Sequence, residues 1–101
     1  MNYHERNLVT IICESFLEEK IISTARKVGI LGYTIVEARG AGSRGLRDGD
    51  FEYDKNIKIE MLCKAETADI LCDEIQKKYF KDFAVVIYKG TVFVSRPEKF
   101  N

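Results

Sequence analysis

Between Gly40 and Arg47 the chain reads Gly-Ala-Gly-Ser-Arg-Gly-Leu-Arg. Gly40 and Gly42 carry no Cβ, so a backbone there can approach an anion closely and aim N–H groups at it. Arg44 and Arg47 add guanidinium donors suited to phosphate oxygens, and Ser43 lies in the same run. The chemistry this run fits is the capture of a phosphate, with no bond made or broken. The same residue types also build plain solvated turns, and a lone G-x-G is a weak signal. His4 is the only histidine and sits in a polar segment. It is a poor candidate for a catalytic base or metal ligand, and no Ser/His/Asp or Cys/His set can be assembled. The expectation is a binding protein, not an enzyme.

Bulk composition narrows the classes further. The chain has 101 residues, of which 46% are hydrophobic and 32% charged. That length fits one domain spanning 1–101, small enough to gain core by self-association. Lys+Arg and Asp+Glu both number 16, so there is no basic field of the kind nucleic-acid binders use. No apolar run approaches the ~20 residues of a membrane span, and the polar stretch 1–7 does not read as a secretory signal. Cys13, Cys63 and Cys72 are widely spaced and odd in number, without a C-x-x-C. They read as reduced thiols in a cytoplasmic protein, not as a disulfide framework or zinc site.

The candidate residues must be positioned by regular elements. The β-branched run at 8–13 reads as a buried strand. Ser15 and Glu18 match a capping box for an amphipathic helix over 16–28, stopped at Gly29. A second strand follows at 33–39. Four of the seven glycines, Gly40, Gly42, Gly45 and Gly49, then fall in a charged loop over about 40–55, which is expected to be mobile without a ligand. Strict alternation of Ile57, Ile59, Met61 and Cys63 marks a third strand. Ala68, Leu71, Cys72, Ile75 and Tyr79 mark a second helix over about 67–80. A fourth strand at 84–88 and a shorter fifth at 91–94 are separated by Lys89-Gly90, which fits a tight turn or bulge. From Pro97 the chain reads as a tail. The order predicts an α+β fold: a ferredoxin-like βαββαβ sandwich with a short extra C-terminal strand. Both helices would cover one sheet face, and self-association would cover the other.

The residues also carry a resemblance. Gly32-Tyr33-Thr34, Glu37 and Gly40-Ala41-Gly42-Ser43-Arg44 resemble the PII signalling proteins from the end of their first helix to the start of the T-loop. Lys58-Ile59-Glu60 resembles the family's K-I-E strand, and Gly90-Thr91-Val92-Phe93-Val94 its G-K-I-F-V strand. With Tyr79-Phe80-Lys81-Asp82, the pattern is most similar to the PII-like branch found beside bicarbonate and other ion transporters. The match runs through most of the chain in order and spacing.

The resemblance implies a homotrimer with an adenine nucleotide in each cleft between subunits. It implies a T-loop, here about 40–55, that reshapes on binding and engages a partner, usually a membrane transporter that would recruit this protein to the membrane. The nucleotide-binding residues it implies are Thr34 at the adenine edge, Gly40, Gly42, Ser43, Arg44 and Arg47 towards phosphate, and Glu60 and Leu62 beside the cleft. Lys89 and Gly90 stand where the family has its phosphate loop, and Arg96 follows the last strand. Thr34, Glu60 and Arg96 read equally well as ordinary strand or surface residues. The segment between Gly40 and Asn56 is shorter than the T-loop of nitrogen-regulating PII proteins. Tyr53 does not align with their modified tyrosine. The T-G-x-x-G-D-G-K loop is reduced to Lys89-Gly90, with Thr91 at its phosphate-gripping lysine. ADP, AMP or a cyclic nucleotide therefore fits better than ATP held with 2-oxoglutarate.

Two other classes use the same element order. A CutA-type trimer binding divalent cations would need a ligand cluster that the spacing does not supply. An acylphosphatase-like hydrolase would need an arginine-bearing anion cradle after the first strand, where Glu14-Ser15-Phe16 stands instead.

Overall fold

The computed structural model describes residues 2–42, 45–47 and 55–100 of the chain. Six strands and two helices are described: β1 (His4–Glu14), α1 (Glu18–Lys27), β2 (Thr34–Ala38), β3 (Gly40–Gly42), β4 (Gly45–Arg47), β5 (Asn56–Cys63), α2 (Ala65–Tyr79) and β6 (Val86–Val94). Short 3-10 turns at Ser15–Leu17 and Pro97–Lys99 complete them. The main sheet has the antiparallel order β2-β5-β1-β6, and β3 and β4 pair with each other. With both helices on one face, this is the ferredoxin-like α+β arrangement expected from the sequence.

Register follows from alternation. Ile35, Ile59, Ile11 and Ile87 lie opposite one another across the four strands. Because facing residues of an antiparallel ladder share a sheet face, this row turns towards the helices. Val9, Ile11, Cys13, Ile57, Ile59, Met61 and Cys63 of that face are buried against Leu17, Ile21, Ala25, Leu71 and Ile75. The next row, Thr34, Glu60, Thr10 and Tyr88, points the other way. On that open face Val36, Val86 and Tyr88 remain exposed in the single copy.

The two helices are fixed to each other as well as to the sheet. The Thr24 hydroxyl of α1 lies 3.3 Å from the Tyr79 hydroxyl of α2. Gly29, at φ 102°, ends α1. Its left-handed turn lets the Ile30 N–H reach back to the Ala25 carbonyl at 3.0 Å, and Ile30 is buried; glycine adopts this turn without steric cost.

Three local expectations change. Ser15 does not cap a helix: it lies inside a 3-10 turn, and its N–H donates to the Lys55 carbonyl at 2.6 Å. That bond, with Leu17 drawn into the core, delays α1 to Glu18. The separate fourth and fifth strands are one strand, so among the described residues there is no short extra C-terminal strand. Lys89 pairs with Val9 and Gly90 with Leu8, continuing the β1 ladder without a turn. The reason is the length of β1: it begins at His4 and offers partners along the whole of Val86–Val94. Part of the expected loop is the β3–β4 hairpin, with Gly40 facing Arg47 and Gly42 facing Gly45. Its expected mobility concerns residues outside the described ones, as do Ser43, Arg44 and 48–54. No described helix is long and apolar enough to cross a membrane.

Candidate functional site

The open face gathers several candidate residues. Thr34 on β2 faces Glu60 on β5, which faces Thr10 on β1. Thr34 is exposed and Glu60 partly so, whereas Thr10 between the flanking side chains is only 2% exposed. Two residues along β5, Leu62 faces Leu8, and Leu8 faces Gly90 of β6. Thr34, Glu60, Leu62 and the Gly90 backbone thus occupy two adjacent rows of one surface. That surface offers a hydroxyl, a carboxylate, an apolar side chain and a glycine backbone, a set suited to a flat heterocycle with polar edges. Lys58, on the same face as Glu60, approaches its carboxylate to 3.8 Å. This exposed pair orients the acid and contributes little to stability.

Gly40 and Gly42 lie beyond the end of β2. Gly40 opens the hairpin two residues after Ala38, and Arg47 faces it across the ladder. The chain beyond the hairpin returns at Lys55, whose carbonyl is held by Ser15.

Arg96 lies at the other end of the sheet. It follows Val94, which pairs with His4, whereas Ala38 leads through Asn56 to Glu14 at the opposite end of β1. The ten-residue step from His4 to Glu14 spans roughly 33 Å. One phosphate cannot meet both the Gly40–Gly42 backbone and Arg96 of the same copy.

Lys89 is not brought to this surface. In the continuous strand it shares the helix-side face with Val9, and its Nζ is ion-paired with the Asp69 carboxylate of α2. That hydrogen bond raises the Lys89 pKa. Lys89 instead acts electrostatically on two thiols. Burial pushes Cys63 up to about 11, with Cys72 raising it further and Lys89 opposing. Burial also raises Cys72, again opposed by Lys89, while Asp69 and Asp73 add to the rise. Thiols raised in this way are poor nucleophiles near neutral pH.

Two further features were not legible in the sequence. Arg6, on the open face opposite Val92, bonds to the carbonyls of Pro97 and Phe100. Tyr88 presents an exposed ring beside Thr10. Alternation along an extended β1 and an unbroken β6 is the signal that places both. A groove of about 630 Å³ runs along the outer side of α1 past Ile22, Ser23 and Tyr33, and none of the candidate residues lines it. Among the described residues no group of three or more His, Cys, Asp or Glu side chains is placed to hold a metal ion.

Comparison with known proteins fits this arrangement. The chain is similar to a PII-like signalling protein of Thermus thermophilus, with 39% identity over 100% of both chains and a TM-score of 0.86. It is similar to CPII of Thiomonas intermedia, solved bound to ADP and bicarbonate, with 28% identity over 99% of this chain and 98% of that one, at a TM-score of 0.88. A second CPII structure, bound to ADP, AMP and bicarbonate, gives 28% identity over 98% and 96% of the two chains, also at 0.88. The profile of the family described as nitrogen regulatory protein P-II matches residues 6–99. The chain therefore belongs to the nitrogen regulatory protein P-II family.

Proposed function

We propose that this chain is a single-domain, trimeric PII-like sensor. It binds ADP or AMP in clefts between subunits and regulates a partner protein, a membrane transporter, through its 40–55 segment. It works in the cytoplasm, carries out no chemical step, and reaches the membrane only by way of that partner. The observation that carries the reading is the likeness, along almost the whole chain, to CPII in complex with ADP.

The geometry supports it in two ways. The open face carries Thr34, Glu60 and Leu62 next to exposed apolar side chains that a second copy would cover. The Gly40–Gly42 backbone stands beyond one end of the sheet and Arg96 beyond the other, so in this reading one copy brings the run that the sequence assigns to phosphate, Gly40, Gly42, Ser43, Arg44 and Arg47, and its neighbour brings Arg96. Binding places negative charge beside that arginine-bearing segment and reshapes it. The partner then meets a different surface with and without nucleotide, and its affinity shifts by the difference. Lys89 stays with Asp69, so the reduced phosphate loop contributes the Gly90 backbone alone. This favours nucleotides with few phosphates.

The test is isothermal titration of the purified protein with AMP, ADP, ATP and cyclic AMP, with its mass in solution measured alongside. Saturable binding of ADP or AMP by a trimer is expected. A monomer, or a trimer that binds none of the four, overturns the reading. Repeating the ADP titration in bicarbonate buffer reads out any coupling to a second anion.

A further inference from the structure

Among the described residues, Arg6 is the cation of the open face whose side chain is fully engaged with backbone. It donates from Nε to the Phe100 carbonyl at 2.8 Å, from Nη2 to the Pro97 carbonyl at 3.2 Å and from Nη1 to the Glu5 carbonyl at 2.8 Å. The first two bonds bracket the Pro97–Lys99 turn, which a planar fork of fixed donors can do and a lysine cannot. Inside the turn the Lys99 N–H to Arg96 carbonyl bond, 3.2 Å, and the Phe100 N–H to Pro97 carbonyl bond, 3.0 Å, hold the chain. Arg96 is therefore fixed from both sides, by the His4–Val94 ladder pair before it and by the Arg6 clamp after it. Its own side chain is exposed and makes no hydrogen bond or ion pair with any described residue. An uncommitted cation on a clamped backbone is a preorganised anion ligand, because the ordering cost falls on folding and not on binding.

We infer that Arg6 is a positioning residue for phosphate recognition: by holding the Pro97–Lys99 turn it sets Arg96 where the phosphate of a nucleotide in the adjoining copy's cleft meets it. The inference rests on the nucleotide reading above. Arg6 touches no ligand itself. Its effect passes through Arg96 and reaches only the phosphate end of the ligand.

A double-mutant cycle tests this on the full chain. ADP and adenosine are titrated calorimetrically into wild type, Arg6→Ala, Arg96→Ala and the double variant. Each single change is expected to weaken ADP about tenfold and to leave adenosine unchanged. The double variant is expected to bind ADP no more weakly than Arg96→Ala alone, because Arg6 has nothing left to position. A purely structural role would weaken adenosine in step with ADP, or add its full effect in the Arg96→Ala background; either result overturns the inference. If Arg6→Ala does not fold, Arg6→Lys keeps the charge without spanning both carbonyls and decides by the same criteria. A wild type that binds ADP while the cycle shows no coupling overturns the positioning role alone. A wild type that binds no ADP overturns the nucleotide reading and this role with it.

Discussion

The Tyr79 hydroxyl donates to Thr24 Oγ1 across the contact between α1 and α2. The direction follows from counting protons. Thr24 has one hydroxyl hydrogen and gives it to the Lys20 carbonyl at 3.1 Å, so at 3.3 Å the hydrogen between the two side chains belongs to Tyr79. Both residues are buried, and the bond ties the helices together at the level where α2 ends.

The two partners are therefore not equivalent. Tyr79→Phe removes a donor and leaves Thr24 bonded to Lys20, which costs about 1 kcal/mol. Thr24→Val strands a buried tyrosine hydroxyl and costs more, about 1–3 kcal/mol. Urea unfolding at one fixed protein concentration ranks them. The reverse order would mean that the proton runs the other way.

Cys63 makes the fold sensitive to alkali. Its thiol is pushed from 9.0 up to about 11 in the folded chain, so the unfolded state loses its proton first as pH rises. Stability from this group is intact below pH 9 and is lost as pH climbs from 9 towards 11, at up to roughly 1.4 kcal/mol per pH unit. Cys63→Ser or Cys63→Ala should flatten the decline measured by denaturant unfolding across that window. A decline of unchanged slope in both variants would assign it to other groups.

Arg44→Ala is expected to weaken ADP binding about tenfold, the loss of one charge-assisted hydrogen bond. Adenosine should bind as before, because the guanidinium is assigned to phosphate. Equal affinity of wild type and variant for ADP, measured by calorimetry, would remove Arg44 from the site.

Lys89→Ala tests a residue that the motif favours and the register disfavours. Its ammonium is ion-paired with Asp69 on the helix side, so ADP affinity should stay within about twofold of wild type. A tenfold loss would mean that the side chain leaves Asp69 for the nucleotide.

How much of this was legible beforehand depended on periodicity. Ile57, Ile59, Met61 and Cys63 alternate cleanly, and all are buried; Ala68, Leu71, Ile75 and Tyr79 recur with helical spacing, and all are buried too. The polar run His4-Glu5-Arg6-Asn7 carries no apolar rhythm, and it becomes strand only because residues 91–94 pair with it from the far end of the chain. Lys89-Gly90 has the composition of a turn, and the same long-range pairing overrides that local preference. Once the strand is continuous, a period of two sends Lys89 to the helices and leaves Gly90 with Leu8. The candidate site divides in the same way. Thr34 and Glu60 sit where their strands put them, whereas the role of Arg6 depends on carbonyls more than 90 residues away, a separation that local spacing does not encode.

The position of β1 between β5 and β6 also bears on how the molecule is made. Of the four strands of the main sheet, β1 is made first, and it is one of the two that carry a partner on each edge; residues 86–94 supply its second edge last. A nascent chain that has emerged only through α2 can pair β1 with β5 yet still presents β1's other edge, a template for strands of neighbouring chains. Closure of the sheet is therefore a late event of high sequence separation, which slows folding. Crowded polysomes would be where this chain is most exposed to mispairing, and a chaperone that shields β1 until β6 arrives would act at the right moment.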